Sequence, residues 1–133
     1  MQPRWISLGL FLSFLICYFE WGGNAMFLYQ MEMDLFTTEK LNSQNLSHPL
    51  ILLPFIGQLM LLIPVFRTGF PLKFTLIANL LLGLLVFMVL LAGSLSGNVK
   101  MISSTLPFIF FTILLIRTYR KESAIKKSSR LRP

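Results

Sequence analysis

The chain has 133 residues, 55% of them hydrophobic and 13% charged, where a soluble globular domain is about 45–50% apolar and about 25% charged. Mean hydropathy is +0.72 and net charge +7, a combination that points to a membrane protein. A single cysteine, Cys17, excludes an intrachain disulfide and any thiol relay needing a cysteine pair, and a single histidine, His48, excludes a bis-histidine haem within one chain.

The first apolar segment runs from Trp5 to Tyr18. Crossing a hydrocarbon core of about 30 Å takes roughly 20 residues of helix, and this run is shorter than that. The expected first span therefore covers residues 5–23 and carries Glu20 to the outer edge of the membrane. Trp5 and Trp21 are the interfacial anchors at its two ends. Glu20 and Trp21 fit a signal-peptide cleavage region badly, so the segment reads as an uncleaved span. Gly22 and Gly23 allow a sharp turn just after it.

Residues 24–48 then form one long external loop. Within MFLYQMEMDLF, the residues Met31 to Leu35 alternate like a strand, while Phe27, Met31 and Leu35 also fall at helical spacing. Either conformation fits, and either lies at the membrane interface or caps the helices. The thioethers of Met26, Met31 and Met33 suit Cu(I), but their spacing follows no metal pattern. No metal and no cofactor is expected. Asn45-Leu46-Ser47 has the form of a glycosylation acceptor, a triplet frequent by chance.

The second segment, residues 49–66, reads PLILLPFIGQLMLLIPVF and contains Pro54, Gln58 and Pro64. The third covers residues 70–95 with Asn79 inside it. The fourth covers residues 101–117, opening with Ser103, Ser104 and Thr105 and ending at Arg117. In each, apolar residues surround the helix instead of forming one stripe. The expected fold is all-α, a four-helix transmembrane bundle, followed by a basic tail over residues 118–133.

Orientation follows from the basic residues. With both termini on one side, that side holds Arg4, Arg67, Lys73 and the tail cations Arg117, Arg120, Lys121, Lys126, Lys127, Arg130 and Arg132. The other side holds Lys40 and Lys100. Both termini are therefore expected in the cytoplasm. A basic cluster directly after an apolar run reads as a topology signal and a contact for anionic lipid headgroups, not for nucleic acid. The expected location is a multi-pass one in a bacterial cytoplasmic membrane.

Polar groups inside a bilayer are costly and therefore candidates for function. Helix depth places Gln58 and Asn79 together near the middle, and Glu20, His48, Ser103, Ser104 and Thr105 together in the outer layer. The two amides either hydrogen-bond across helices, at about 0.6–2 kcal/mol each, or line a polar path. Glu20 is either an interfacial carboxylate beside Trp21 or a buried one partnered by His48 or the serine hydroxyls. His48, before Pro49, stands at the entry of the second span. No phosphate loop, zinc motif or Ser/His/Asp set is present.

Glu20, with Gly23 three residues on, resembles the arrangement in the first helix of the small multidrug resistance transporters, although their loops are short. The overall layout resembles that of DoxX-like membrane proteins, with a short N-terminus, a long external loop after the first helix, three closely spaced helices and a basic tail. That resemblance implies an accessory role beside other membrane proteins, often redox-related. The expected function is a non-enzymatic accessory or scaffold subunit packing against another membrane protein, a second copy or lipid. The alternatives are a small proton-coupled transporter or channel using Glu20, Gln58 and Asn79, and a membrane-embedded enzyme acting on lipid or quinone.

Overall fold

A computed structural model describes residues 2–37, 49–67 and 69–131. It is mostly helical. In chain order it contains α1 (Pro3–Leu15), β1 (Tyr18–Trp21), β2 (Asn24–Phe27), α2 (Leu28–Thr37), α3 (Pro49–Phe66), α4 (Leu72–Ser96) and α5 (Val99–Arg130). His48, Lys40 and the Asn45 triplet lie outside the described residues, as does Arg132.

Helix α1 begins with Pro3 in its first turn, where the missing N–H costs nothing and φ is already helical. It stops at Leu15, eight residues short of the expected span end. The chain then switches to the aromatic, strand-forming run Tyr18–Trp21, which pairs antiparallel with Asn24–Phe27, Tyr18 opposite Phe27 and Trp21 opposite Asn24. Gly22 and Gly23 have φ of 59° and 84°. Two positive-φ residues are what a two-residue hairpin turn of matched twist requires. A helix through residue 23 and an unbroken loop over residues 24–48 are thus both corrected. Part of the expected loop is β2 and α2, and the strand-or-helix choice for residues 26–36 resolves into β2 followed by helix.

The second apolar segment coincides with α3, which retains Pro54 and Pro64 inside it. Pro71, extended, precedes α4, and Gly97, left-handed at φ 66°, ends it. The N–H groups of Gly97 and Asn98 both reach the carbonyl of Gly93. Asn98 then caps α5, its Oδ1 accepting from the backbone N–H groups of Lys100 and Met101 at 3.1 and 3.3 Å. Helix α5 does not end with its apolar stretch near Arg117 but continues through Arg130.

Helix α1 packs against α3 and α5, α3 against α4, and α4 against α5. The core between them holds Ile6, Leu10 and Phe14 of α1, Leu61 of α3, Ala78, Leu82 and Val86 of α4, and Phe108 and Leu115 of α5. Phe14 meets Phe108 edge-on, ring centroids 6.4 Å apart. Gly57 lets α3 and α4 approach closely: a Cβ there would lie 3.1 Å from the carbonyl oxygen of Ala78.

Two helices, α4 and α5, are long and apolar enough to cross a membrane, and only 33% and 22% of their most apolar stretches are buried inside the protein. The remainder faces outward as large apolar side chains, among them Leu80, Leu84, Phe87 and Leu91 on α4 and Leu106, Phe110 and Ile113 on α5. Large apolar side chains grouped on an outward face mark contact with a membrane or another protein.

Candidate functional site

The polar residues singled out in the sequence do not converge on one pocket among the described residues. They fall into three separate groups.

The first group lies where β1 runs beside the start of α5. Ser104 Oγ accepts the backbone N–H of Tyr18 at 2.9 Å and donates to the carbonyl of Met101 at 2.8 Å. The buried thiol of Cys17 donates to the carbonyl of Ser13 at 3.4 Å and lies 3.7 Å from that of Ser104. Further along the strand, Glu20 Oε2 accepts from Asn98 Nδ2 at 2.7 Å and from the Tyr18 hydroxyl at 3.4 Å. Glu20 is exposed. It therefore sits level with the α4–α5 turn, six residues before Ser104 on α5 and about 9 Å further along that helix. The expected common level of Glu20 with Ser103 to Thr105 is corrected accordingly. The strand explains the difference, because an extended chain advances about 3.3 Å per residue where a helix advances about 1.5 Å. Asn98 does two jobs here, capping α5 with its oxygen and holding Glu20 with its nitrogen.

Ser103 and Thr105 take no part in this group. Their hydroxyls donate to the carbonyls of Val99 and Ile102 in their own helix, each at 2.7 Å. Trp5 and Trp21 are 59% and 78% exposed, at opposite ends of the α1–β1 segment. That placement suits two interfacial belts.

The second group is Asn79 of α4 with Thr112 of α5. The threonine Oγ1 lies 3.0 Å from Asn79 Oδ1 and 2.9 Å from the carbonyl of Phe108. The pair edges an apolar groove of about 220 Å³ between the two helices, walled by Gly83, Phe87 and Phe108.

The third group joins α2 to α3. Gln58 Nε2 donates to Glu32 Oε1. Gln58 is buried and Glu32 is half-buried. Burial pushes the Glu32 carboxyl above the usual carboxylate range, and the Gln58 amide pulls only partly the other way. Gln58 and Asn79 do not bond to each other, although Gly57 touches Ala78 across the α3–α4 contact.

Sequence reasoning missed Glu32, Thr112 and Asn98 as partners of Gln58, Asn79 and Glu20. Thr112 is the one polar residue in the run Leu106 to Ile116, and Asn98 follows a helix-ending glycine, so both left a signal. Glu32 stood in a stretch of undecided conformation and left none.

Among the described residues no buried side-chain nitrogen or oxygen lacks a hydrogen-bond partner. No group of three His, Cys, Asp or Glu side chains is placed to hold a metal among them. The predicted tail cations Arg117, Arg120, Lys121, Lys126, Lys127 and Arg130 are exposed along the last turns of α5. No protein-family model, curated protein or solved structure matches the chain.

Proposed function

We propose that α1, α3, α4 and α5 form a four-helix transmembrane bundle with both termini in the cytoplasm of a bacterial cell. In this reading the protein is a non-enzymatic accessory or scaffold subunit, packing against another membrane protein, a second copy or lipid. One observation carries the reading: polar side chains of three of the bundle helices bond to groups on neighbouring elements. Asn79 meets Thr112, Gln58 meets Glu32, and Ser104 meets the Tyr18 backbone. Groups already paired hold helices together, at about 0.6–2 kcal/mol per bond, and the outward faces of α4 and α5 remain as apolar packing surface.

The test is extraction in a mild detergent after cross-linking in the native membrane. A discrete complex with one stoichiometric membrane partner, a discrete homo-oligomer, or a protomer with tightly retained lipid supports the reading; a solitary protomer without retained lipid at every detergent concentration overturns it. A transporter reading draws support from Glu32, a carboxylate half-buried against mid-α3. It requires that Glu32→Gln or Glu20→Gln abolish proton movement in proteoliposomes; the accessory reading requires no such movement in the unaltered protein.

A further inference from the structure

At the end of the molecule opposite the hairpin, a cavity of about 430 Å³ opens between the start of α1, the α3–α4 link and the last third of α5. That volume falls within the roughly 300–1,000 Å³ of small-ligand pockets. Three cations from three different elements line it: Arg4 of α1, Arg67 of the link and Lys126 of α5. One carboxylate, Glu122, shares the wall and leaves it net positive. Neither Arg67, Lys126 nor Glu122 has an ion-pair partner among the described residues.

Arg4 is held in place. Its Nε donates to the carbonyl of Val65, at the end of α3, at 3.1 Å. The terminal N–H groups of its guanidinium remain for a planar or tetrahedral oxyanion, the geometry that suits this side chain best. Helices α1 and α4 both begin at the cavity wall. Neither has a side-chain cap or an acidic residue in its first turn, so the local field of their N–H groups adds to the cations. The floor is apolar, with Phe70, Pro64 and Pro71.

We propose that this cavity binds a phosphate group, that of an anionic lipid headgroup, with Arg4, Arg67 and Lys126 as donors and the apolar floor against the glycerol backbone. Arg4 and Arg67 lie outside the basic tail, so the site differs from the tail's own charge although Lys126 belongs to both. The lipid as source of the phosphate rests on the membrane reading above; the oxyanion site itself does not.

The test uses the full chain carrying Trp21→Phe, so that Trp5, next to Arg4, is the only tryptophan. It is reconstituted into phosphatidylcholine bilayers with rising fractions of brominated phosphatidylglycerol, which quenches a tryptophan it touches. The expected result is preferential quenching of Trp5 that persists in about 1 M salt, where the screening length is about 3 Å and diffuse attraction is lost. Arg67→Gln with Lys126→Gln weakens the preference about thirtyfold, from the worth of two headgroup-facing cations. Neither side chain makes a hydrogen bond among the described residues, so folding is not at stake. Lys121→Gln with Arg130→Gln removes the same charge outside the cavity and leaves the high-salt preference unchanged.

Equal losses in the two double variants overturn the site. Absence of preference for phosphatidylglycerol, with inorganic phosphate protecting the detergent-solubilised protein against unfolding through Arg67 and Lys126, overturns the lipid as ligand. A chain that does not enter the bilayer defeats the membrane reading instead, a result visible before any quenching is measured.

Discussion

Replacing Ser104 with alanine removes the acceptor of the Tyr18 backbone N–H while changing no apolar contact of consequence. In the intact protein that N–H lies 2.9 Å from Ser104 Oγ, in a half-buried position between β1 and α5. Left without its partner, a buried donor costs about 1–3 kcal/mol. The cost falls on the docking of β1 against α5, right beside Cys17, which is 0% exposed, has its thiol 3.7 Å from the Ser104 carbonyl and is the only cysteine of the chain. At tenfold per about 1.4 kcal/mol, the population with the hairpin lifted rises about 5- to 150-fold. Maleimide labelling of Cys17 under native conditions, with opening fast relative to reaction, reads that population directly. Ser104→Ala is expected to label faster by that factor, and Ser104→Thr, which keeps the oxygen, by much less. Ser103→Ala, whose hydroxyl serves only Val99 of its own helix, is the control and should label at the native rate. Equal labelling of Ser104→Ala and the unaltered protein, or equal acceleration by Ser103→Ala, would refute the argument.

Two other outcomes follow from the packing and the charges. A Cβ at Gly93 falls 2.8 Å from Met101 Cβ, well inside the about 3.5–4.0 Å of ordinary carbon contact, and no rotation relieves it. Gly93→Ala should therefore cost about 1–3 kcal/mol of overpacking, offset by up to about 1 kcal/mol of helix propensity; a fluorogenic-maleimide melt that reports Cys17 exposure should show the lower midpoint. Because the folded protein raises the Glu32 pKa, it holds more protons than the unfolded chain between the unfolded and folded values. Docking of α2 is then strongest below the ordinary carboxylate value of about 4.3 and weakens as pH rises through the higher folded one. Hydrogen exchange of Leu28–Thr37 amides, corrected for intrinsic rates, should show this trend, and Glu32→Gln should flatten it; strengthening with rising pH would contradict the sign.

The apolar helices are legible because composition alone separates long apolar runs from their polar breaks, and Pro71 marks the start of α4, Gly97 its end and Asn98 the start of α5. The first helix was misread for a specific reason. A length reckoned in helical rise overstates the helix, because after Leu15 the chain continues as strand, with about twice the advance per residue. The Gly22-Gly23 pair after the aromatic run Tyr18–Trp21 is itself a hairpin signal. Side-chain partners were harder still. A helix apolar on every side does not reveal which face meets which neighbour, so the contact of Asn79 with Thr112 has no signature in the sequence. Glu32 became a partner of Gln58 only once α2 folded back onto α3.

The proposed bundle requires α1 and α3 to cross the membrane along with α4 and α5. Single cysteines at Gln2, Asn24, Gly69, Lys100 and Ser128, in a Cys17→Ser background, probe the hairpin, the α3–α4 link, the start of α5 and the two ends of the described chain. Labelled with a membrane-impermeant maleimide in spheroplasts, Asn24→Cys and Lys100→Cys should react from outside, and Gln2→Cys, Gly69→Cys and Ser128→Cys only after permeabilisation. Labelling of Gln2→Cys and Asn24→Cys from the same side would contradict the account, because α1 would then lie on the membrane without crossing it.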